Sequence, residues 1–486
     1  MAYGAKGDQR ANNAPAIQRA IDACAQSGGG TVHFPAGNFL SGTIVLKSNV
    51  TLHLSPGATL WGSREIADYD PHHLIYAEDA ENIGITGSGT INGNGDAFWE
   101  KDFKAKAKRP SPLIRLNRCR NVRIQDVRIR NTPGLGIYHA ECDGVSIRGI
   151  SMISDMRGPN TDGIDLESSR NVTISDSYIE TGDDAICLKS HEKSCENITV
   201  SNCILISDDS AVKIGTGTYS DFRNCLFSNC VITGTRYGIA MYVKDGGVIE
   251  GIGFSNLQID TSVAHYNRQT NSTREWIEYP IFIDLERRKP ESQLSRVRDI
   301  TFSDIHIQTK GRILVEGMPE RPLENLTFRN LVMRITGFEP VEEQKKPRGV
   351  HGLGVAPREM DYSSAPAAMI FANVRGLRLR DIRVIWETAA EQRNRHAIYA
   401  TGIDDLFLAG FAGSPAGSGF AAIGLDAVRR AFITQSRVDP GTSVLVGLND
   451  TPAESVVLSG NDLGSTRAMT AGATYVHVPR ATSARR

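Results

Sequence analysis

The chain has 486 residues, and its 54 lysines and arginines nearly balance its 55 aspartates and glutamates, for a formal net charge of −1. This balance provides no overall attraction to nucleic acid or to a membrane surface, so we expect neither as a partner. No hydrophobic run approaches the roughly 20 residues of a membrane-spanning helix, and eight cysteines in this length indicate neither a disulfide framework nor a zinc site.

The first predicted element is a short helix from Asn13 to Gln26. Its apolar residues recur at helical spacing, and three consecutive glycines from Gly28 end it. A helix in this position can cover the open end of a repeat fold and protect the exposed strand edges there. We therefore assign residues 1–60 to an N-terminal cap region.

A ten-residue phrase then recurs along the chain, with apolar or β-branched residues alternating with polar ones. This alternation is typical of a half-buried strand. Strands that repeat at a fixed period, with no helical sequence between them, predict a solenoid in which neighbouring coils bury each other. The copies begin at Arg120, Asp143, Arg170, Glu196, Glu250, Arg298, Glu324, Arg375 and Glu454.

The predicted fold is therefore all-β: a single-stranded, right-handed parallel β-helix that forms one domain over residues 1–480. A β-propeller or a stacked sandwich is the alternative, but those folds need antiparallel hairpins, whose Asn-Gly or Asp-Gly turns do not recur here. We interpret residues 338–365 as an inserted surface loop, residues 265–274 as a second insertion and residues 480–486 as a disordered basic tail. The cysteines within the repeats, which we expect to be buried free thiols, are Cys187, Cys203, Cys225 and Cys230.

Two matching segments within the repeat carry three aspartates. The sequence Asn-Thr-Asp-Gly-Ile-Asp-Leu begins at position 160, and Gly-Asp-Asp-Ala-Ile-Cys-Leu begins at position 182. If each segment is one turn of the repeat, Asp184 lies beneath Asp162 and Asp183 joins them. Like charges so close together cannot all ionise freely. Glycoside hydrolysis requires such a group, because one carboxyl protonates the leaving oxygen while another activates water.

The orientation of these acids needs a local bend. Strict alternation would point Asp162 and Asp184 into the core, where an unpaired carboxylate costs several kcal/mol. We therefore expect bends at Gly163 and Ala185 that turn the acids to solvent. The alternative is an aspartate ladder that hydrogen-bonds the corners or binds a cation such as calcium. Adjacent coils about 4.8 Å apart are compatible with either retaining or inverting carboxyl separations, so the spacing leaves the stereochemistry open.

The opening YGAKGD, the stretch GGGTVHFPAGNFLSGTIVLKSNVTLHLSPGATLWGS and the blocks NTDGID and GDDAICLKS resemble the polygalacturonase-like glycoside hydrolases of family 28. The resemblance extends to about Asp304. It implies a pectin-active parallel β-helix that inverts configuration using water, without a cofactor or metal. It also implies that Asp184 is the general acid, and that Asp162 and Asp183 together hold and deprotonate the water.

The chain departs from this family at two places. The family's Gly-His-Gly and Arg-Ile-Lys are replaced by residues 209–211 (DSA) and 240–242 (AMY), so the cations that grip a galacturonate carboxylate are missing. We therefore expect rhamnogalacturonan or a related galacturonate- or rhamnose-containing glycan as the substrate; a relocated anion site is the other interpretation. The candidate substrate-binding residues are His139, Asn160, Lys189, Asp209, Lys213, Arg236 and Tyr242.

Several candidates also have a structural interpretation. His139 is expected on the cleft side one coil before Asp162, but it could instead pack a corner. Lys189 could be a counter-ion that keeps the acids ionised, and Asp209 could be an exposed turn residue. Tyr242 could stack on a sugar, although aromatic residues in solenoids more often pack against each other.

Two other functional classes remain open. A polysaccharide lyase on the same scaffold would release unsaturated products and usually need calcium, but no arginine is embedded in the aspartate segments. A non-catalytic carbohydrate-binding β-helix has no need of adjacent carboxylates, although it would explain the missing histidine and cations. We expect a monomeric enzyme that binds polysaccharide or oligosaccharide. We expect it to be secreted or periplasmic, with its export signal removed; an intracellular location is the alternative.

Overall fold

The computed structural model describes residues 2–262, 278–337, 367–387, 395–417 and 419–471. The chain divides into two compact units. As far as it is described, the first unit contains residues 2–213 and 223–235, and the second contains the remaining residues from 214 onward. The insertions expected at 265–274 and 338–365 and the tail from 480 lie outside the described residues. The single domain over 1–480 stays a prediction.

One α-helix, α1 (Ala14–Gln26), is present among the described residues. Pro15 lies in its first turn, where the proline ring favours a helical φ. Proline has no backbone N–H, but an N–H at this position would have no partner within the helix. Its buried face consists of Ala16, Ile17 and Ile21. This face packs against the first strands of the chain, as expected of a cap. No described helix has the length and apolar character needed to cross a membrane.

The rest of the regular structure is almost entirely strand. In the first unit the strands are β1 (Gly30–Phe34), β2 (Gly37–Ser41), β3 (Ile44–Val45), β4 (Val50–Leu54), β5 (Ala58–Gly62), β6 (Ile75–Glu78), β7 (Glu81–Thr86), β8 (Thr90–Asn92), β9 (Ile114–Asn117), β10 (Arg120–Gln125), β11 (Arg128–Arg130), β12 (Ile137–Ala140), β13 (Asp143–Arg148), β14 (Ser151–Ile153), β15 (Ile164–Glu167), β16 (Arg170–Ser175), β17 (Tyr178–Thr181), β18 (Ile186–Ser190), β19 (Cys195–Ser201) and β20 (Ile204–Ser207). Strands β21 (Ser210–Thr218) and β22 (Phe222–Thr233) have residues in both units.

The second unit continues with strands of the same kind. They are β23 (Tyr237–Val243), β24 (Val248–Asp260), β25 (Tyr279–Leu285), β26 (Arg296–Thr309), β27 (Ile313–Glu316), β28 (Leu323–Ile335), β29 (Ala367–Ala372), β30 (Val374–Trp386), β31 (His396–Thr401), β32 (Leu406–Ala409), β33 (Ala412–Gly413), β34 (Ile423–Asp426), β35 (Ala431–Thr434), β36 (Arg437–Val438), β37 (Val444–Asn449), β38 (Val456–Ser459) and β39 (Arg467–Ala471). Short 3-10 helices cover Ile66–Asp68, Gly95–Phe98 and Ala453–Ser455.

Equivalent strands of successive coils pair in parallel. In the first unit β10, β13, β16 and β19 are neighbours, and Val122, Val145, Val172 and Ile198 stand in one column. A second sheet contains β3, β6, β9, β12, β15 and β18 in that order. The same parallel pattern recurs within the second unit, for example between β26, β28 and β30. The all-β, right-handed parallel β-helix with one N-terminal helix is confirmed.

Asparagines at one corner explain why the phrase repeats. Asn171, Asn197 and Asn224 have φ between 54° and 56°, the left-handed conformation that asparagine adopts more easily than most residues. Their side-chain amides form a ladder, with Asn197 donating to Asn171 at 3.0 Å and Asn224 donating to Asn197 at 3.2 Å. The ladder keeps successive coils in register, so the corner contributes to stability as well as to shape.

Side chains in the interior are closely stacked. In the second unit Phe254, Phe302 and Phe328 stack with ring centroids 4.9 and 4.6 Å apart. Truncating one such ring to alanine typically costs about 3–5 kcal/mol. The four cysteines of the repeats are buried free thiols, which confirms that expectation.

Candidate active site

The two aspartate segments lie at the same corner of adjacent coils. Ile164, the first residue of β15, pairs with Ile186, the first residue of β18, so Asp162 and Asp184 each precede their strand by two positions. The amide of Gly163 donates to the carbonyl of Asp184 at 2.8 Å, which fixes one corner on the other. The backbone bends at residues 163 and 185, as the sequence predicted.

Glycine is required at position 163 because the coils approach so closely there. A Cβ atom on Gly163 would lie 2.3 Å from the carbonyl oxygen of Ala185, a distance that side chains essentially never adopt. The glycine of the NTDG segment therefore lets two backbone corners stack directly. The stacking brings the carboxylates of neighbouring coils together.

The acids are buried, in contrast to the solvent-facing orientation that the sequence predicted. Asp162 is only 4% exposed and Asp184 only 2%, while Asp183 is half-buried. One oxygen from each of the three carboxyls lies within 4.8 Å of the others. Both carboxyls are therefore shielded from water, although the backbone bends next to each of them. Oδ1 of Asp162 and Oδ1 of Asp184 have no hydrogen-bond partner among the described residues.

Two lysines supply positive charge to this cluster. Lys213 donates from Nζ to Oδ2 of Asp184 at 2.7 Å and lies 3.9 Å from Oδ2 of Asp209. Lys189 donates to Oδ1 of Asp165 at 2.5 Å, and its Nζ is 4.0 Å from Oδ2 of Asp162. Each lysine therefore lies between one of the three clustered acids and a supporting aspartate. For Lys189, the structure favours the counter-ion interpretation.

Burial dominates the electrostatics of the acids. Desolvation raises the pKa of Asp184 to about 7, even though the nearby ammonium of Lys213 acts in the opposite direction. The pKa of Asp162 is raised well above its usual value, first by burial and then by the neighbouring charges of Asp183 and Asp165. Burial and the charge of Asp209 raise the pKa of Asp183 as well. The cluster therefore retains protons at a pH where exposed aspartates are ionised.

Asn160 lies beside the cluster. Its amide nitrogen donates to Oδ2 of Asp183 at 3.4 Å, and its carbonyl oxygen accepts from Arg109 at 3.2 Å. Arg109 also donates to the backbone carbonyls of Pro133 and Pro159. The sequence analysis missed Arg109 because it lies before β9 in a segment without the repeat pattern.

His139 lies in the solenoid interior, which corrects its expected position on the cleft side. It is fully buried in β12, between Leu116 of β9 and Leu166 of β15. Neither ring nitrogen has a hydrogen-bond partner within the described parts of the chain, and burial lowers the pKa of His139 to about 4. A neutral, inward-pointing ring in this column cannot approach a sugar bound at the surface. Matching Gly136 to Gly163 in the sequence would have placed His139 over Leu166 and so revealed this orientation.

Arg236 and Tyr242 belong to the second unit, whereas the aspartates belong to the first. Tyr242 is fully buried in an aromatic cluster with Tyr237 and Phe282. The guanidinium of Arg236 lies 4.9 Å from the ring centroid of Tyr237. Of the two interpretations of Tyr242, stacking on a sugar or packing against other aromatic residues, the structure shows the packing.

Asp165 is a site residue that the sequence analysis did not single out. It is completely buried, and its Oδ2 has no partner among the described residues. Asp165 occupies the same outward column as Tyr138 and Cys187 of the adjacent coils. The outward position was visible in the alternation, but its burial and its pairing with Lys189 depend on neighbouring coils.

The three clustered carboxyls are also the one group of described residues whose spacing suits a metal ion. The ammonium groups of Lys189 and Lys213 already supply positive charge there, which favours proton chemistry over cation binding. A buried acid with a pKa near neutrality beside a less buried one is an arrangement that enzymes use for general acid/base catalysis.

Residues 24–345 match the family model of glycosyl hydrolases family 28. The chain belongs to this family. It is therefore a glycoside hydrolase, which confirms the resemblance inferred from the aspartate segments. The match begins near the end of α1 and covers both aspartate segments and the first part of the second unit.

Curated relatives and solved structures agree with this assignment. The chain is 29% identical over 352 residues to an endo-polygalacturonase of Pectobacterium carotovorum subsp. carotovorum, covering 65% of this chain and 82% of the relative. It is also similar to the polygalacturonase structure from Erwinia carotovora ssp. carotovora, with 25% identity, a TM-score of 0.57 and coverage of 68% of this chain and 93% of that one. An exopolygalacturonase from Thermotoga maritima has the same fold, with 24% identity, a TM-score of 0.60 and coverage of 69% and 86%.

Proposed function

We propose that this family 28 enzyme hydrolyses α-glycosidic bonds in a pectic polysaccharide, with inversion of configuration. Asp184 acts as the general acid, and Asp162 and Asp183 position and deprotonate the attacking water. The observation that carries the proposal is the group of three carboxyls within 4.8 Å, in two successive coils of a family 28 chain. Relatives named as polygalacturonases support the substrate class.

The environment of Asp184 supports its role as the acid. A pKa of about 7 leaves the carboxyl largely protonated under mildly acidic conditions, as proton donation to the leaving oxygen requires. Asp183 is the most exposed of the three, and it accepts a hydrogen bond from the backbone amide of Asp184, which partly opposes the rise in its pKa that burial causes. It is thus suited to the water side of the reaction. Asp162 shares that side because it carries the next carboxyl on the preceding coil.

The stereochemical part of the proposal rests on the family. Oxygen separations of up to 4.8 Å are shorter than the roughly 6.5–9.5 Å that usually separates the carboxyls of inverting glycosidases. The separation alone is closer to the roughly 5–5.5 Å of retaining enzymes. Proton NMR of the first-formed anomer distinguishes the two, and an initial product of retained configuration would overturn inversion.

The lysines bear on the identity of the sugar next to the cleaved bond. Lys213 and Lys189 were candidates for binding a uronate carboxylate, but their ammonium groups pair with aspartates. We propose that both act as internal counter-ions and that the sugar beside Asp184 is neutral, such as rhamnose. Rhamnogalacturonan or a rhamnose-capped galacturonan oligosaccharide is then the preferred substrate. Asn160 and Asp209 remain candidates for binding sugar hydroxyls at the edge of the cluster.

A mass-resolved product profile tests the function. Wild type and Asp184→Asn are incubated with homogalacturonan, rhamnogalacturonan and rhamnose-capped oligosaccharides, with and without chelator. Hydrated products that disappear in the variant and do not depend on chelator support the proposal and identify the sugar. Unsaturated, ultraviolet-absorbing products would indicate a lyase instead. Binding without any product would indicate a non-catalytic protein.

A polysaccharide substrate also bears on where the enzyme acts. Because such a polymer is met outside the cytoplasm, we propose that the enzyme is secreted or periplasmic, and that it acts as a monomer. Size-exclusion chromatography with light scattering tests the second point. A mass of twice the 52.9 kDa chain would contradict it.

A further inference from the structure

A column of four outward-facing side chains, an arginine followed by three apolar residues, lies on a sheet of the second unit. Arg378 of β30, Phe407 of β32, Phe432 of β35 and Val457 of β38 are direct register partners on successive coils. We call the surface formed by these four residues and Arg380 the arginine–phenylalanine surface. Phe432 is 38% exposed and Val457 is 51% exposed, so the last two side chains of the column face solvent.

The two phenyl rings stack on each other. Their centroids are 5.8 Å apart and their planes are inclined by only 13°. The neighbouring outward column consists of the smaller side chains of Ala409, Thr434 and Ser459. Large and small side chains therefore lie in adjacent columns on this face. Exposed apolar surface of this kind, bordered by polar residues, commonly marks a ligand-binding site.

Arginines lie on β30, the strand at one end of this column. Strand β30 (VRGLRLRDIRVIW) contains four arginines and a single aspartate, although the whole chain has nearly equal numbers of basic and acidic residues. Arg378 pairs with Asp405 at 3.1 Å, and Arg375 pairs with Asp404 at 3.4 Å. Arg380 forms no ion pair in the part of the chain that the structure describes, and its guanidinium lies 5.0 Å from the ring centroid of Phe407. The arginine–phenylalanine surface therefore offers an uncompensated cation beside a pair of stacked phenyl rings, one of which is exposed.

We propose that the arginine–phenylalanine surface binds a uronate-containing polysaccharide outside the catalytic centre. A pyranose ring presents an apolar C–H face to a phenyl ring, and its carboxylate can form a paired hydrogen bond with an arginine fork. The combination of Arg380 with Phe407 and Phe432 matches both features of such a sugar. A neutral glycan would use only the rings. The choice of an acidic glycan rests on the proposed function, since pectic chains are rich in uronate.

Such a surface would retain the enzyme on its polymer. With a second binding site, the enzyme stays attached to the polymer when the chain leaves the cleft. The effective concentration of substrate at the cleft is therefore higher. Short oligosaccharides cannot gain from this effect, because they are too short to occupy a second site while they react. The surface should therefore affect polymer binding without affecting turnover of small substrates.

Affinity electrophoresis in gels that contain polygalacturonate tests the proposal at low ionic strength. Phe432→Ala and Arg380→Ala are made in the Asp184→Asn background, so that the polymer is not consumed. We expect each substitution to weaken binding about five- to tenfold, the size of one stacking or charge-assisted contact. The matched controls are Leu226→Ala, which removes an equally exposed apolar side chain, and Arg123→Ala, which removes an exposed outward arginine of β10. Both controls should bind like the parent.

Equal retardation of all variants would overturn the proposal, and so would equal binding to a neutral pectic galactan. In the active enzyme, Phe432→Ala should leave kcat/KM on short oligosaccharides unchanged, and a loss there would contradict a separate site. The binding assay requires no hydrolysis. It therefore gives an answer even if the proposed catalytic function fails.

Discussion

The Nζ atom of Lys213 lies 2.7 Å from Oδ2 of Asp184, and both side chains are almost completely buried. The pair forms between residues 29 positions apart in sequence, on two successive coils of the solenoid. The lysine compensates part of the cost of burying the carboxyl, and burial keeps the pKa of Asp184 at about 7 in spite of the lysine. This balance determines the pH at which the proposed acid can donate a proton.

Replacing Asp184 by asparagine should abolish most of the activity. Asparagine keeps the shape and can still accept from Lys213, but it has no proton to give to the leaving oxygen. We expect kcat to fall about 10²- to 10⁴-fold, the usual contribution of a general acid. Steady-state kinetics on the substrate identified by the product profile measure the loss. Circular dichroism controls for folding, and a variant with more than half of the parental kcat would rule out Asp184 as the acid.

Replacing Lys213 by methionine should move the alkaline limb of the pH profile. The ammonium lowers the pKa of Asp184, so its removal lets burial raise that pKa further. The variant should therefore retain its remaining kcat/KM to a higher pH than wild type. Lys213→Arg keeps the positive charge and is the matched control. The alkaline limb of its pH profile should lie close to that of wild type. An unshifted limb in Lys213→Met would mean that the lysine acts only in packing.

The buried Asp184 should make stability depend on pH. Its pKa is raised in the folded state, so the stability that this carboxyl contributes is complete below its unfolded pKa of about 4 and is lost as the pH rises through about 7. Asparagine cannot ionise and does not suffer this loss. The Tm of Asp184→Asn relative to wild type should therefore rise between pH 5 and pH 8, as measured by thermal melts.

Asp176→Asn provides the control for that series. Asp176 is solvent-exposed, and hydrogen bonds from Asn202 and Ser175 lower its pKa. Its contribution to stability therefore changes only in the acidic range, and the Tm difference should be flat from pH 5 to pH 8. A flat difference for Asp184→Asn as well would show that this carboxyl is not desolvated.

Substituting Gly163 by alanine should damage both stability and activity. The added methyl would lie 2.3 Å from the carbonyl oxygen of Ala185, so the two aspartate corners must move apart. We expect a loss of about 1–3 kcal/mol in the free energy of unfolding, the usual cost of overpacking, together with a fall in kcat. Chemical denaturation and steady-state kinetics measure the two effects.

Gly28→Ala is the comparison. Its methyl would meet nothing within 4 Å, although Gly28 has a φ of +92°, so that substitution adds only backbone strain far from the acids in sequence. Its kcat should match wild type. A Gly163→Ala enzyme with unchanged kcat would show that the corner contact does not position Asp162 and Asp184.

Some of this molecule follows directly from local sequence. The alternation within the repeated phrase and the recurrent asparagines predict stacked strands with left-handed corners. The structure has both, because strand alternation and backbone conformation depend on near neighbours along the chain. The parallel frames of NTDGID and GDDAICL likewise predict that Asp162 and Asp184 meet, since equal positions in successive coils must lie side by side.

The environment of the acids was decided by the tertiary structure. Strand alternation places Asp165 and Lys189 on the outward side, but it does not show that segments around them exclude water or that the two form a pair. Arg109 reaches Asn160 from a segment with no repeat pattern at all. Desolvation and ion pairing depend on which groups lie within a few ångströms in space. Thus the fold and the presence of a carboxyl cluster could be predicted from the sequence alone, whereas the raised pKa of Asp184 and its lysine partner required the folded chain.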